Sequence, residues 1–238
     1  MKHPFENKVA VVTGATRGIG RAIAERLLGD GANVAICGRS QDTVSRAVEE
    51  MAGARSGKII GQAADLTRLD DVRAFFRFVE EKFGGVDCLV NNAGIGIFRN
   101  VEELAPEEWH AVIGLNLTGV YYCCHMAIPL MLRRGGGYII QISSLAGKNA
   151  IAGGAAYNAS KFGVNGFSEA MMLDLRYKNI RVSYLMPGSV NTEFSSRSGA
   201  ADWKIAPDDV AEVVSLLLRM PERTLVSRVE VRPSQPKR

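Results

Sequence analysis

The sequence has no CxxC pair, no block of charge of one sign and no long apolar run near its start. The four cysteines, Cys37, Cys88, Cys123 and Cys124, include two neighbours and fit neither a disulfide framework nor a metal site; they point to a reducing compartment. His110 and His125 add no ligand spacing, so no metal is expected. Met1 to Lys8 is charged and the apolar run after it stops at Thr13, too soon for a signal-peptide core or a membrane span. A cytoplasmic protein with no membrane partner is the expectation. The 29 basic and 25 acidic residues are spread along the chain, and the net charge of +4 marks no nucleic-acid surface. No linker, repeat or low-complexity stretch divides the sequence, so residues 1–238 are expected to form one domain, with 233–238 as a flexible tail. At 47% hydrophobic and 23% charged, the composition is that of a globular chain with a large core.

What is present is an alternation. Val9–Val12 is a β-branched run closed by Gly14, and Ile19–Leu28 then has helical spacing. The exchange repeats: strand at Asn33–Cys37, helix at Gln41–Met51, strand at Lys58–Ala63, helix at Asp70–Phe83, strand at Cys88–Val90. A long helix is predicted from Pro106 to about Arg134, started by proline and two glutamates. Strand Tyr138–Ile142, helix Ala155–Tyr177, strand Ile180–Leu185, helix Pro207–Met220 and strand Val226–Val231 complete the pattern. Apolar strands separated by helices imply an α/β fold: a doubly wound parallel sheet of about seven strands with helices on both faces. The longest stretch without clear structure, Asn191–Ala206, has the length of an active-site loop.

Thr13-Gly14-Ala15-Thr16-Arg17-Gly18-Ile19-Gly20 places three glycines between the first strand and the first helix. There backbone N–H groups can cradle a pyrophosphate, although tight packing alone would also account for the glycines. The second strand ends in Cys37-Gly38-Arg39-Ser40, with no acid to bind ribose hydroxyls. Arg39 is placed to meet a 2′-phosphate, and Arg17 to close over it from the other side, so NADP(H) is favoured over NAD(H). As a plainer alternative, both arginines are surface charge. Asp65, followed by Leu66, either accepts from the adenine amino group or caps the next helix.

Tyr157-Asn158-Ala159-Ser160-Lys161 puts a phenol and an ammonium four residues apart, on one helix face. A phenol is a poor base at neutral pH until a nearby cation favours its ionised form. Alone, such a pair would be read as an amphipathic surface. Ser144 lies thirteen residues before Tyr157, past the fifth strand, at the sheet edge where doubly wound folds bind ligands. Asn91-Asn92-Ala93-Gly94 closes the fourth strand at the same edge. Asn116 is a polar residue in an apolar helix, by itself a satisfied core amide.

In this order and spacing, TGxxxGIG, NNAG, the helical Asn, Ser, YxxxK and a Pro-Gly turn resemble the short-chain dehydrogenase/reductase family from about Val9 to Val231. The resemblance implies that Tyr157 is the general acid/base and that Lys161 lowers its pKa and binds the nicotinamide ribose. It further implies that Ser144, rather than Ser143, orients the carbonyl and that Asn116 supports a water-linked proton relay. Gly14, Thr16, Arg17, Gly18, Ile19, Gly20, Arg39, Asp65, Leu66, Asn92, Ala93, Gly94, Pro187, Gly188, Val190 and Thr192 are then expected at the cofactor, together with Tyr157 and Lys161. The expected reaction is NADP(H)-dependent hydride exchange with a small carbonyl or alcohol, as a ketone or aldehyde reductase. A 3-oxoacyl-carrier-protein reductase is the other branch it resembles, although Val229-Glu230-Val231-Arg232-Pro233 lacks the Asn-Gly-Gly often found there. A non-catalytic nucleotide sensor or scaffold is the alternative of another class. Ile97, Phe98, Ile151, Phe194 and Trp203 suggest an apolar substrate wall. Relatives pair the long helices after the fourth and fifth strands, so a homodimer or homotetramer is expected.

Overall fold

β-branched and aliphatic runs that are apolar at successive positions can be buried on both faces of a sheet, and the five central strands of a seven-stranded sheet do so here, while the two edge strands are partly exposed. The seven are β1 (Val9–Thr13), β2 (Asn33–Gly38), β3 (Ile59–Ala63), β4 (Cys88–Asn91), β5 (Gly137–Ile142), β6 (Ile180–Pro187) and β7 (Arg228–Val231). The computed structural model describes residues 4–53, 57–194 and 201–236. All strands pair in parallel in the order β3-β2-β1-β4-β5-β6-β7. The order reverses between β1 and β4, and the crevice that opens there at the carboxyl edge is where such sheets take ligands.

Alternation along each strand divides the core between two helix layers. Ala10, Val12 and Ile36 face α1 (Gly18–Gly29), α2 (Gln41–Met51) and α7 (Pro207–Arg219), with Ile23, Leu27, Met51 and Val214 buried between. Val9, Val11 and Ile139 face α3 (Leu69–Phe83), α5 (Gly119–Arg133) and α6 (Ala155–Leu175), over Phe75, Phe76, Met131 and Val164. Each fully buried side chain of this size contributes about 1.5–3 kcal/mol, so both layers matter to stability. The four cysteines lie in these cores; burial pushes the thiols of Cys37, Cys88 and Cys124 up to about 12 and raises that of Cys123 well above its ordinary value.

One expected helix is three elements. Between α4 (Pro106–Ile113) and α5 lies a π turn, Gly114–Thr118, in which the Gly119 N–H reaches back five residues to the Gly114 carbonyl. The whole run Pro106–Arg133 is long and apolar enough to cross a membrane. Cys123, Cys124, Ala127 and Met131, all fully buried, instead pack it against the sheet. Strand β7 begins two residues later than expected, because the Val226 carbonyl accepts from the Ser183 hydroxyl instead of joining the ladder. Within the loop 191–206, residues 195–200 lie outside the described residues, as do 237–238 of the expected tail.

Candidate active site

The glycine turn is shaped from beneath by the end of β4. Thr13, buried at the end of β1, accepts on Oγ1 from the N–H groups of Asn92 and Ala93, both at 3.0 Å. Asn92 returns two bonds from Nδ2, to the Thr13 carbonyl (3.0 Å) and the Gly14 carbonyl (3.1 Å). This leaves no room for side chains: a Cβ on Gly14, whose φ is +62°, would lie 2.8 Å from Ala93 Cα, and one on Gly20 would strike Asn92 Nδ2. The Asn92 amide therefore acts on the shape of the turn.

Above the turn, α1 begins with no side-chain cap and no acid in its first turn. Its free N–H groups and the positive end of its dipole make a cradle for an anion. Thr16 packs against Gly38 at the end of β2, which brings exposed Arg39 to the same mouth. A pyrophosphate with a further phosphate on one ribose fits this donor set: backbone N–H groups for the first and guanidinium groups for the second. Arg17 is engaged with Glu193 at 2.8 Å, both side chains being largely exposed. Thr192 sits over Gly18, so the segment after β6 covers the turn; Val190 is held there by a bridge to Ile205, and Gly188 by a bond to the Val231 carbonyl. Asp65 accepts from the Thr67 hydroxyl (2.7 Å) and N–H (3.0 Å), which holds its carboxyl below the usual range, with Arg68 and Arg39 adding a smaller effect against burial. It thus shapes the turn before α3, and Leu66 beside it is buried.

At the ends of β4 and β5 the reactive types converge. Asn116 is fully buried in the π turn, and its amide grips the Ile95 peptide from both sides: Oδ1 accepts from Ile95 N–H and Nδ2 donates to its carbonyl, each at 2.9 Å. It also donates to Ser160 Oγ, at 3.1 Å. Lys161 Nζ lies 5.7 Å from the centre of the Tyr157 ring and donates to the Ile142 carbonyl at 2.9 Å. Burial lowers the Lys161 pKa to about 8, which leaves the group mostly cationic at neutral pH. Burial also raises the pKa of the Tyr157 phenol, against the pull of the Ser144 hydroxyl. The neutral phenol, the form that can give up a proton, is therefore favoured. Ser144 Oγ accepts from the Ala146 N–H at 3.1 Å, so its own proton points away from the turn, toward the Tyr157 oxygen.

Phe98 and Phe194 flank the Tyr157 ring at centroid distances of 5.5 and 5.7 Å, and both approach Gly96. Of the five residues expected in an apolar wall, these two meet the phenol, while Trp203 lies against Lys204. Sequence reasoning did not find Glu193, Asn158 or Asn165 as partners of the site. Asparagines 158 and 165 were legible only as polar residues recurring along an apolar helix. Among the described residues, no three His, Cys, Asp or Glu side chains gather as a metal site.

A profile of the short chain dehydrogenases matches residues 8–203. The chain belongs to the short-chain dehydrogenase family. An uncharacterized oxidoreductase of Staphylococcus saprophyticus is 33% identical over 233 residues, covering 96% of this chain and 98% of the relative. A 3beta-hydroxysteroid dehydrogenase of Mediterraneibacter gnavus is 39% identical over 197 residues, covering 82% of this chain and 71% of the relative. Among solved structures, an alcohol dehydrogenase of the archaeon Thermococcus sibiricus complexed with 5-hydroxy-NADP superposes with a TM-score of 0.90 at 31% identity, covering 97% of this chain and 99% of that one. A metagenomic short-chain oxidoreductase in complex with NADP gives 0.86 at 39% identity, covering 98% and 100%. The chain is thus an oxidoreductase of this family, on a Rossmann-type fold.

Proposed function

We propose that this protein is an NADP(H)-dependent reductase of an apolar ketone or aldehyde, with Ser144, Tyr157 and Lys161 as its catalytic residues and Asn116 as their support. The observation that carries the reading is the meeting of a neutral, buried phenol, a buried ammonium and a serine hydroxyl at the carboxyl edge of the sheet. The nicotinamide, when bound, supplies the hydride. Ser144 turns its proton to the substrate oxygen and orients the carbonyl. Tyr157 delivers the proton that converts the reduced carbonyl to an alcohol. Lys161, anchored on the Ile142 carbonyl, has two further protons to hold ribose hydroxyls and to favour the phenolate left behind.

Choice of NADP(H) is supported by Arg39 at the mouth, by the absence of an acid in Cys37-Gly38-Arg39-Ser40 at the end of β2, and by the NADP-type ligands of the two similar structures. Phe98 and Phe194 favour a flat apolar substrate, and the hydroxysteroid relatives make fused-ring ketones a sensible part of any panel. No specific observation favours the acyl-carrier-protein branch. The exposed aromatic face of α5, with Tyr121 against Phe167 of α6 and against His125, is read as the contact with a second copy. Tyr157→Phe keeps the ring and removes the proton. It is expected to lower turnover of a ketone panel with NADPH at least 100-fold while NADPH affinity stays within about twofold; turnover near the parent rate would refute the assignment.

A further inference from the structure

Ser144 takes its position from a short stretch of backbone, residues 142–151, whose only regular piece after β5 is the 3-10 turn Leu145–Gly147. That stretch is laced to α6 by three side chains on one stripe of the helix. Lys161 holds the Ile142 carbonyl. Asn165 Nδ2 donates to the Gly147 carbonyl at 3.0 Å, and its Oδ1 accepts from Ser143 Oγ at 2.6 Å. Asn158, buried, makes three bonds: Nδ2 to the carbonyls of Ala146 (2.6 Å) and Asn149 (2.9 Å), and Oδ1 from the Ile151 N–H (3.0 Å). Positions 158, 161 and 165 share a helix face. The turn lies directly on that face, since a Cβ on Gly147 would come within 2.6 Å of Asn165 Nδ2 and 2.8 Å of the Lys161 carbonyl.

Ala146 links this lacing to the chemistry. Its N–H is the donor to Ser144 Oγ, and its carbonyl is the one Asn158 holds most closely. With one face of the oxygen engaged by that N–H, the serine proton is directed away from the turn. Freeing the Ala146 carbonyl would let the turn rotate and carry the hydroxyl with it, while Tyr157, one residue before Asn158 on a rigid helix, stays in place. We propose that Asn158 is a positioning residue that fixes the Ser144 hydroxyl relative to the Tyr157 phenol by tying the Ala146 peptide to the helix that carries the tyrosine. This rests on the reading that Ser144 and Tyr157 carry the reaction.

The test is a double-mutant cycle in the full chain with Ser144→Ala, Asn158→Ala and the pair. Two quantities are read: NADPH oxidation with acetophenone, and the titration of ring-labelled Tyr157 by NMR in the absence of cofactor and substrate. Displacing a reacting group by about 1 Å costs on the order of 100-fold, so Asn158→Ala is expected to lower kcat about 10- to 100-fold with NADPH affinity unchanged. In the Ser144→Ala background it should cost less than about twofold more, because the residue acts through that hydroxyl. The Tyr157 pKa should rise in either single variant and no further in the pair. Asn158→Asp, which keeps the shape and the bond from Ile151 but loses both donated bonds, should behave as the alanine variant does and serves if that one does not fold. Losses that multiply in the pair, or a Tyr157 titration that Asn158→Ala leaves unmoved, would overturn the proposal. If Ser144→Ala keeps full turnover, the reading of the reaction fails, and the Tyr157 titration alone then decides the role of Asn158.

Discussion

Replacing Lys161 by methionine should make the protein less active and, at neutral pH, more stable. The ammonium is fully buried, and desolvation lowers its pKa from 10.5 to about 8, although it keeps a bond to the Ile142 carbonyl. Below about pH 8 both folded and unfolded chains carry the proton, and the folded state bears the full cost of the buried charge. Between about 8 and 10.5 the unfolded chain still holds the proton that the folded chain has released, so stability rises with pH; above 10.5 the cost is gone. At about 1.36 kcal/mol per pH unit, that window amounts to roughly 3 kcal/mol. Methionine has similar reach and no charge to desolvate, but it leaves the Ile142 carbonyl without its donor, which costs about 1–3 kcal/mol. The net expectation is a variant about 1 kcal/mol more stable than the parent near neutral pH. The lead should disappear and reverse as the pH is raised to about 10, because the carbonyl cost does not depend on pH. Urea unfolding of both proteins at several pH values reads the difference directly. A difference that stays constant with pH would show that Lys161 titrates normally in the fold, and would refute the burial argument for its role.

Glu193→Gln releases Arg17 from its partner at 2.8 Å. Since exposed pairs are worth about 0.2–1 kcal/mol, NADPH should bind about 1.4- to 5-fold tighter with little change for NADH, and the gain should shrink at high salt; equal gains for both cofactors in a fluorescence titration would count against Arg17 as a phosphate ligand. Tyr121→Glu places a charge on the exposed aromatic face of α5. It should shift the sedimentation of the protein from an oligomer toward a monomer, and a parent that already sediments as a monomer would remove the basis for that face.

The central strand positions were legible because both faces of those parallel strands are apolar; a β-branched run such as Val9–Val12 has few other uses. The convergence of Tyr157, Lys161 and Ser144 was legible because helix spacing and the sheet edge fix where such residues go. The π turn at Asn116 was not, since five residues with a wider turn keep the same apolar pattern as an α-helix. The pairing of Arg17 with Glu193 joins residues 176 apart in sequence, and no local pattern announces it. Asn158 and Asn165 were visible as residues, but what they bind is backbone, which has no letter in a sequence. Whether Asp65 caps its turn or faces an adenine was undecided for the same reason, and the Thr67 bonds now account for one carboxyl oxygen.

Arg39 and the glycine turn form a nucleotide site suited to a 2′-phosphate beside the Tyr157 phenol. Titrating the protein with NADPH and NADH by nicotinamide fluorescence, and repeating both with Arg39→Asp, tests it most directly. Clear preference for NADPH that collapses in the variant is expected; equal binding, or binding that favours NADH in the parent, would rule out the 2′-phosphate site.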